Sequence, residues 1–164
     1  MIKHLGWLYT VEHIRDGRVL SVERVHNLVP LEGRQYFLSV GANAGAQVAT
    51  WYCGIFEGNY TPIAGNTMAT FPGLATESIA YGEATRPEWI EAAPSAGDIT
   101  NAASKAVFTI NSAKTFYGAF LSSSAVKSGT VGTLLSAARF STAKAMDAGE
   151  ILRVTGTIQS VSTV

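Results

Sequence analysis

The residue with the clearest chemical capacity is Cys53, the only cysteine in the chain, which lies in the stretch "TWYCGIFEGNYTP" at residues 50 to 62. A cysteine acts as a nucleophile when a base beside it removes the thiol proton. Cys53 instead lies in an apolar, β-rich run, where a cysteine usually behaves as a small buried hydrophobe. We therefore predict a core strand in which Trp51 and Phe56 pack between sheets. An active-site wall with Cys53 as nucleophile is the alternative.

The other residues capable of chemistry form no recognisable catalytic or ligand-binding motif. The serine run at 122 to 124 has no GxSxG elbow, and the glycines of "GANAG" and "GTVGTLL" lack the lysine of a phosphate loop. The three histidines show no metal-ligand spacing, and a single cysteine excludes an internal disulfide. The scattered carboxylates could include a pair for glycoside hydrolysis. We expect no enzyme activity, no cofactor and no metal.

Arg86 is the charged residue with the most informative surroundings, in "YGEATRPEWIE". It lies between Glu83 and Glu88 and precedes Pro87 and Trp89. A guanidinium in this setting can pair with a carboxylate and stack on an aromatic ring. We predict an internal clamp that fixes the bend before Trp89, with a partner-binding role as the alternative.

Charge composition narrows the classes of partner. Twelve basic and twelve acidic residues cancel, and only 15% of the residues are charged. A neutral chain has no basic field that would hold nucleic acid, and a poorly charged surface tends to associate with other protein. The N-terminus resembles no signal peptide, and no apolar run is long enough to span a membrane. These features predict synthesis in a reducing cytoplasm, self-association, most simply as a symmetric dimer, and no binding to nucleic acid or membrane.

The N-terminal segment predicts a charged β-hairpin. In "LYTVEHIRDGRVLSVERV" two β-rich runs flank Asp16-Gly17, a dipeptide suited to a two-residue turn. We divide the single domain into a hairpin arm at residues 1–26 and a sandwich body at residues 27–164. The arm either projects toward a neighbouring subunit or lies solvated on the rim. Its tip, formed by Arg15, Asp16, Gly17 and Arg18, is a candidate partner interface.

The remaining segments predict short strands, turns and one helix. The helix begins near Pro30, carries Glu32 in its first turn and ends at Gly41. After Phe56 the chain enters a turn-rich surface loop, in which Asn59 and Tyr60 are further candidate interface residues. The segment "NSAKT" is a candidate hairpin turn between two strands. The fold class that follows is a mainly β, jelly-roll-like β-sandwich with an N-terminal hairpin and one short helix.

Four ordered blocks carry a resemblance to a known class of proteins: "HNLVPLEG", "TWYCGIFEGNYTP", "YGEATRPEW" and "FYGAFLSSS". Together, over roughly residues 26 to 140, they resemble the small virion structural proteins of tailed bacteriophages. The resemblance implies a capsid cement or decoration protein, or a collar or tail adaptor, and it implies no enzyme, cofactor or metal. Jelly-roll and related β-sandwich folds are common in that class.

Three functions are therefore open. The first is a phage cement protein, located in the virion, that binds the major capsid protein or other virion proteins and itself. The second is a head–tail or tail-fibre adaptor. The third is a carbohydrate-binding β-sandwich that presents Trp51, Tyr52 or Trp89 as a sugar platform.

Overall fold

A computed structural model describes the backbone of residues 2–162 and the side chains of residues 6–159. Within this range the chain forms two helices and eight strands. In chain order they are β1 (Ile2–Arg15), β2 (Arg18–His26), α1 (Leu31–Ala42), β3 (Tyr52–Phe56), α2 (Phe71–Ala75), β4 (Asp98–Thr100), β5 (Ala106–Thr109), β6 (Lys114–Ser122), β7 (Leu134–Met146) and β8 (Ile151–Ser162).

The strands form two antiparallel sheets that pack face to face, which confirms the prediction of a mainly β, sandwich-like fold with an N-terminal hairpin. The large sheet has the order β2-β1-β8-β4, and β5 also pairs with β8. The small sheet has the order β3-β6-β7. The sheets also join at one corner, where Leu28, just after β2, exchanges two backbone hydrogen bonds with Ala137 of β7.

The predicted turn of the hairpin is confirmed. Arg15 pairs with Arg18, and the two residues between them, Asp16 and Gly17, have φ values of 49° and 73°. Two consecutive residues in the left-handed region are typical of the turn whose twist matches that of paired strands. Aspartate and glycine are among the residues that adopt this conformation at the lowest cost.

The predicted division into an arm and a body is wrong for β1. This strand lies between β2 and β8 and pairs with β8 over nearly its whole length. Its side chains Trp7, Tyr9, Val11 and Ile14 are buried in the core. The charged side chains of β1 alternate with the buried ones because they lie on the solvent side of a central strand. Removal of residues 1–25 would take this strand out of the large sheet. β2, in contrast, is an edge strand.

The small sheet is covered on both faces, so the molecule has two hydrophobic clusters. Cys53 and Ile55 of β3 face the large sheet, together with Trp51 just before the strand. Phe56 belongs to a second cluster on the other face, with Phe71 of α2 and Phe120 of β6. Phe56 is thus buried as predicted, but it does not lie between the two sheets.

Two glycines make this second cluster possible. A Cβ at Gly54 would collide with the ring of Phe120, and a Cβ at Gly118 would collide with the ring of Phe56. Gly54 and Gly118 lie on neighbouring strands of the small sheet. The missing side chains therefore create the space into which the two phenylalanine rings pack.

Helix α1 matches the prediction in position, since it begins after Pro30 and ends at Ala42. Tyr36 and Phe37 pack against the core, whereas Leu31 and Leu38 are exposed. Its buried residue is Gly33, where a Cβ would strike the carbonyl oxygen of Leu135. The helix therefore lies against β7 at a distance that only glycine permits.

The "NSAKT" segment does not close a hairpin. The strand before it, β5, pairs with β8 in the large sheet, whereas the strand after it, β6, pairs with β3 and β7 in the small sheet. The segment is therefore a crossover from one sheet to the other. Its turn-forming residues predict a change of chain direction, which a hairpin and a crossover between sheets both require.

Candidate functional site

Cys53 is buried in the centre of the sandwich. Its thiol has no solvent exposure, and burial raises its pKa well above the ordinary value for a cysteine. A thiol that is hard to ionise and shielded from solvent is a poor nucleophile. The predicted inaccessibility of Cys53 is confirmed.

Arg86 is the centre of a buried polar cluster. Its guanidinium makes two parallel bonds to Glu77, from Nε to Oε1 at 2.7 Å and from Nη2 to Oε2 at 2.6 Å. The same group donates to the hydroxyl of Ser122 and to the carbonyl oxygens of Ser124 and Gly129. Two-point pairing with satisfied remaining donors is the geometry that a buried arginine requires.

The position of Arg86 fits the predicted internal clamp, but its partners differ from those predicted. The carboxylate comes from Glu77 rather than from Glu83 or Glu88, and the guanidinium lies 5.2 Å from the ring centre of Phe120 rather than over Trp89. The backbone N–H of Arg86 donates to the carbonyl of Ala125.

The clamp therefore holds two surface segments. One is the bend that leads to Trp89, and the other is the 123–132 loop between β6 and β7. Glu77 also contacts this loop, because its Oε2 accepts a hydrogen bond from the N–H of Ser128. The clamp fixes the loop that carries the exposed side chains of Val126 and Val131.

Of the three aromatic residues proposed as a sugar platform, Trp51 and Trp89 are not available to a sugar, and Tyr52 is half-buried. Trp89 is buried, and its ring packs at a tilt against that of Trp7 with the ring centres 5.5 Å apart. Its indole N–H donates to the carbonyl of Gly156. Trp51 is buried against the edge of the Tyr36 ring. A sugar platform needs an exposed aromatic face, which neither tryptophan offers. The burial of Trp51 agrees with the predicted core strand.

The turns at one end of the sandwich bring together several charged groups. Glu150, after the β7–β8 turn, accepts hydrogen bonds from His13 Nε2 at 2.7 Å and from Arg15 Nε. Burial raises the pKa of this carboxyl, but bonds from Arg15, His13 and the N–H of Asp147 outweigh burial and lower the pKa below its ordinary value. We call the set His13, Arg15, Asp147 and Glu150 the charged end.

The charged end changes the interpretation of the predicted hairpin tip. Arg15 is committed to Glu150 and lies 3.6 Å from Asp147, so it is not a free cation for a partner. Asp16, Gly17 and Arg18 are exposed. Arg18 has no ion-pair partner among residues 6–159. Of the two arginines predicted to meet a partner, only Arg18 is free to do so.

Asn59 and Tyr60, the second predicted interface, lie in the layer that covers the small sheet. Asn59 is exposed, and its side-chain oxygen accepts two bonds from Arg139 of β7. The hydroxyl of Tyr60 accepts a bond from Asn66, and its ring packs against Phe71. Asn59 is thus accessible, whereas Tyr60 mainly holds its loop in place.

A groove separates β2 from β7 where the two strands diverge beyond the corner at Leu28. Its volume is about 460 Å³, and its lining residues are His13, Ser21, Val22, Glu23 and residues 141–145. Glu23 crosses the groove, since its carboxylate accepts bonds from the N–H groups of Ser141 and Thr142 and from Lys144 Nζ. Burial raises the pKa of Glu23, but these bonds together lower it.

Several of these residues gave no recognisable signal in the sequence. Glu77 lies nine residues before Arg86, and Glu150 lies far along the chain from His13 and Arg15. Their proximity depends on tertiary contacts rather than spacing. Within the side chains described, no group of three or more histidine, cysteine or acidic residues could hold a metal ion. No helix within the described part of the chain is long and apolar enough to cross a membrane.

Comparison with protein-family models finds no matching family, and comparison with curated proteins finds no match either.

Proposed function

We propose that this chain is a non-enzymatic structural protein of a tailed-bacteriophage virion, and specifically a cement protein that binds the major capsid protein. The resemblance of its four sequence blocks to small virion proteins supports this role. Its neutral, poorly charged composition agrees with a surface that is covered by other protein.

The single observation that carries the proposal is the group of exposed aliphatic side chains on β2. This strand ends the large sheet and exposes three large aliphatic side chains, Val19, Leu20 and Val22, each about half or more exposed. Adjacent exposed aliphatic residues are typical of a surface that another protein covers.

The rigid 123–132 loop offers a second surface of the same kind. Val126 and Val131 are exposed on a loop that Arg86 and Glu77 hold from inside. A contact that is ordered before binding loses less conformational entropy when the partner arrives. On a repeating lattice, many modest contacts of this kind add up through avidity.

The proposal is tested by quantifying the protein in purified virions of the phage that encodes it. Gel densitometry against the major capsid protein should give a copy number in the hundreds if the chain decorates the head. About a dozen copies or fewer would favour the head–tail or tail-fibre adaptor. Absence from the particle would contradict both.

A binding experiment tests the capsid contact directly. Purified protein is co-sedimented with capsids from which it has been stripped, and Leu20→Ser is compared with Leu38→Ser. Both leucines are exposed, but only Leu20 lies on β2. We expect Leu20→Ser to weaken capsid binding and Leu38→Ser to leave it unchanged. Equal binding by both variants would place the capsid contact elsewhere.

A further inference from the structure

We infer that this protein binds a small aromatic molecule that carries a cationic amine, in a cavity between helix α1 and one end of the sandwich. The ligand class follows from the apolar walls of the cavity, from its volume and from an unpaired carboxylate at its opening. The inference goes beyond the virion role and does not depend on it. Among the described residues that line the cavity, none belongs to β2.

The cavity lies where the main hydrophobic core is incompletely covered. Among the described residues, six partly buried hydrophobic side chains pack against that core, and five of them line the cavity. These five are Tyr36, Phe37, Val48, Ile99 and Ile158. Three further lining residues, Trp51, Trp89 and Leu135, are buried members of the core itself. The gap in the cover of the core is therefore concentrated at this place.

The composition of the segment after α1 explains why this space is left unfilled. The chain continues as "GANAGAQVAT" over residues 41–50, and most of these residues are alanine or glycine. Gln47, Val48 and Ala49 form one wall of the cavity. Protein interiors are normally packed without large voids. Side chains as short as these cannot fill the space between the helix and the sheets, so a cavity remains.

The volume and the walls of the cavity suit one aromatic ring. The cavity has a volume of about 190 Å³, whereas an apolar cavity of about 150 Å³ is enough to hold benzene. The difference leaves room for a short tail. Two polar groups of the walls are already satisfied, because the Tyr36 hydroxyl accepts a bond from the N–H of Val48 and the Trp89 indole N–H donates to Gly156. Aromatic and aliphatic walls without free polar groups favour an apolar ring.

The opening of the cavity carries a negative charge. Gln47 and Glu91 line the cavity and are both exposed. The carboxylate of Glu91 has no ion-pair or hydrogen-bond partner within the described part of the chain. None of the described lining residues is basic. A carboxylate beside an apolar wall attracts a cation and repels an anion. The tail of the ligand should therefore carry an amine.

Residues 46–49 provide the route by which the ligand enters. They form neither helix nor strand, and Ala46, Gln47 and Ala49 are exposed. Val48 is held to helix α1 by the bond of 2.9 Å from its N–H to the hydroxyl of Tyr36. Segments with few buried contacts open at a small cost in free energy. Movement of this short segment away from Tyr36 would expose the cavity without disturbing the sheets.

Three phenyl compounds that differ in the charge of the tail test the inference. Phenethylamine is cationic, phenethyl alcohol is neutral and phenylacetate is anionic. Binding of each is followed by the fluorescence of the protein, since Trp51 and Trp89 line the cavity. We expect the amine to bind most tightly and phenylacetate most weakly. The dissociation constant of the amine should be about fivefold lower than that of the alcohol, the range of a partly exposed ion pair.

Two pairs of variants locate the site. Glu91→Gln should remove the advantage of the amine over the alcohol and leave binding of the alcohol unchanged. Its matched control is Glu88→Gln, because Glu88 is an exposed, unpaired glutamate outside the cavity lining. Val40→Phe places a larger side chain in the cavity and should abolish binding of the alcohol. Leu38→Phe makes a similar change on the same helix outside the cavity and should bind all three compounds like the parent chain.

Three outcomes would overturn the inference. The first is that none of the compounds binds up to its solubility limit, which would mean that the cavity holds only water. The second is equal affinity of the parent chain for the amine and the alcohol, which would show that Glu91 selects no cation. The third is unchanged binding by folded Val40→Phe, which would place the site elsewhere.

Circular dichroism and thermal melting show whether each variant folds. If Val40→Phe does not fold, the comparison of Glu91→Gln with Glu88→Gln decides the outcome, because both glutamates are exposed and unpaired. Copy number in virions is measured without any of these compounds. This inference and the proposed function therefore fail independently.

Discussion

Two arginine–glutamate pairs in this protein have the same chemistry and opposite surroundings. In the Arg86–Glu77 pair the side chains are 0% and 1% exposed, whereas in the Arg15–Glu150 pair they are 47% and 5% exposed. The first pair replaces all its water contacts with protein groups, and the second keeps one partner in solvent. The comparison separates a pair whose disruption leaves a buried charge from a pair whose disruption is compensated by water.

The buried pair should produce the largest effect. Arg86→Ala leaves the Glu77 carboxylate buried without its cation and removes the donors that hold the 123–132 loop. We expect the free energy of unfolding to fall by about 3–5 kcal/mol, measured by urea denaturation. A loss too small to resolve would mean that water enters the cluster and replaces the guanidinium.

A double variant sharpens this result. Arg86→Met with Glu77→Leu removes both charges together, so no unpaired charge remains in the core. We expect the double variant to be more stable than Arg86→Ala. The cost of the single change comes mainly from the Glu77 carboxylate, which stays buried without a counter-charge. If the double variant is less stable than the single one, the loop bonds of Arg86 matter more than the pair.

The Glu23–Lys144 pair lies between the two extremes, and its removal should have an intermediate effect. Lys144 is 6% exposed, and Glu23 also accepts bonds from two N–H groups of β7. Glu23→Gln should destabilise the protein by about 1–3 kcal/mol, since it leaves a buried ammonium without a counter-charge. Lys144→Met in the same background should restore part of the loss in thermal melting. No recovery would show that the N–H bonds dominate.

The charged end should be visible as a dependence of stability on pH. Glu150 has a lowered pKa in the folded protein, against an ordinary value of 4.5. Its contribution to stability is therefore complete above that value and is lost as the pH falls through the lower folded pKa. Glu150→Gln should make the acid decline of the melting temperature shallower than in the parent chain. Part of the acid decline of the melting temperature should remain in this variant, because the pKa of Glu23 is lowered too. An unchanged slope would contradict the role of Glu150.

The smallest effect is expected for Arg15→Ala. The arginine is about half exposed, and water can replace it around Glu150, which retains His13 and the N–H of Asp147. We expect a melting temperature close to that of the parent chain and a weak dependence of the difference on salt. A loss comparable to that of Arg86→Ala would remove the distinction between the two pairs.

Local features of the fold were predictable because their causes lie in neighbouring residues. The turn at Asp16-Gly17 needs only two residues that accept positive φ, and helix α1 begins where Pro30 permits a first turn. The burial of Cys53 follows from its apolar run. The mainly β fold class follows from short strands separated by turn residues.

The candidate sites were predictable only in part. Arg86 was recognised as a clamp, but its neighbours in sequence suggested Glu83 or Glu88 as the partner. The actual partner, Glu77, lies just after α2, and only the tertiary fold brings it to Arg86. The sequence predicts the hairpin, but its charges suggested a projecting arm. Only the pairing of β1 with β8 makes β1 a central strand.

The sequence by itself therefore determined the types of the elements and the turns between them, since backbone preferences and hydrophobic alternation act over a few residues. The tertiary structure alone decided which charges are buried and which face of the small sheet holds Phe56. These properties depend on contacts between residues far apart in the chain, whose free energy appears only when the sheets meet.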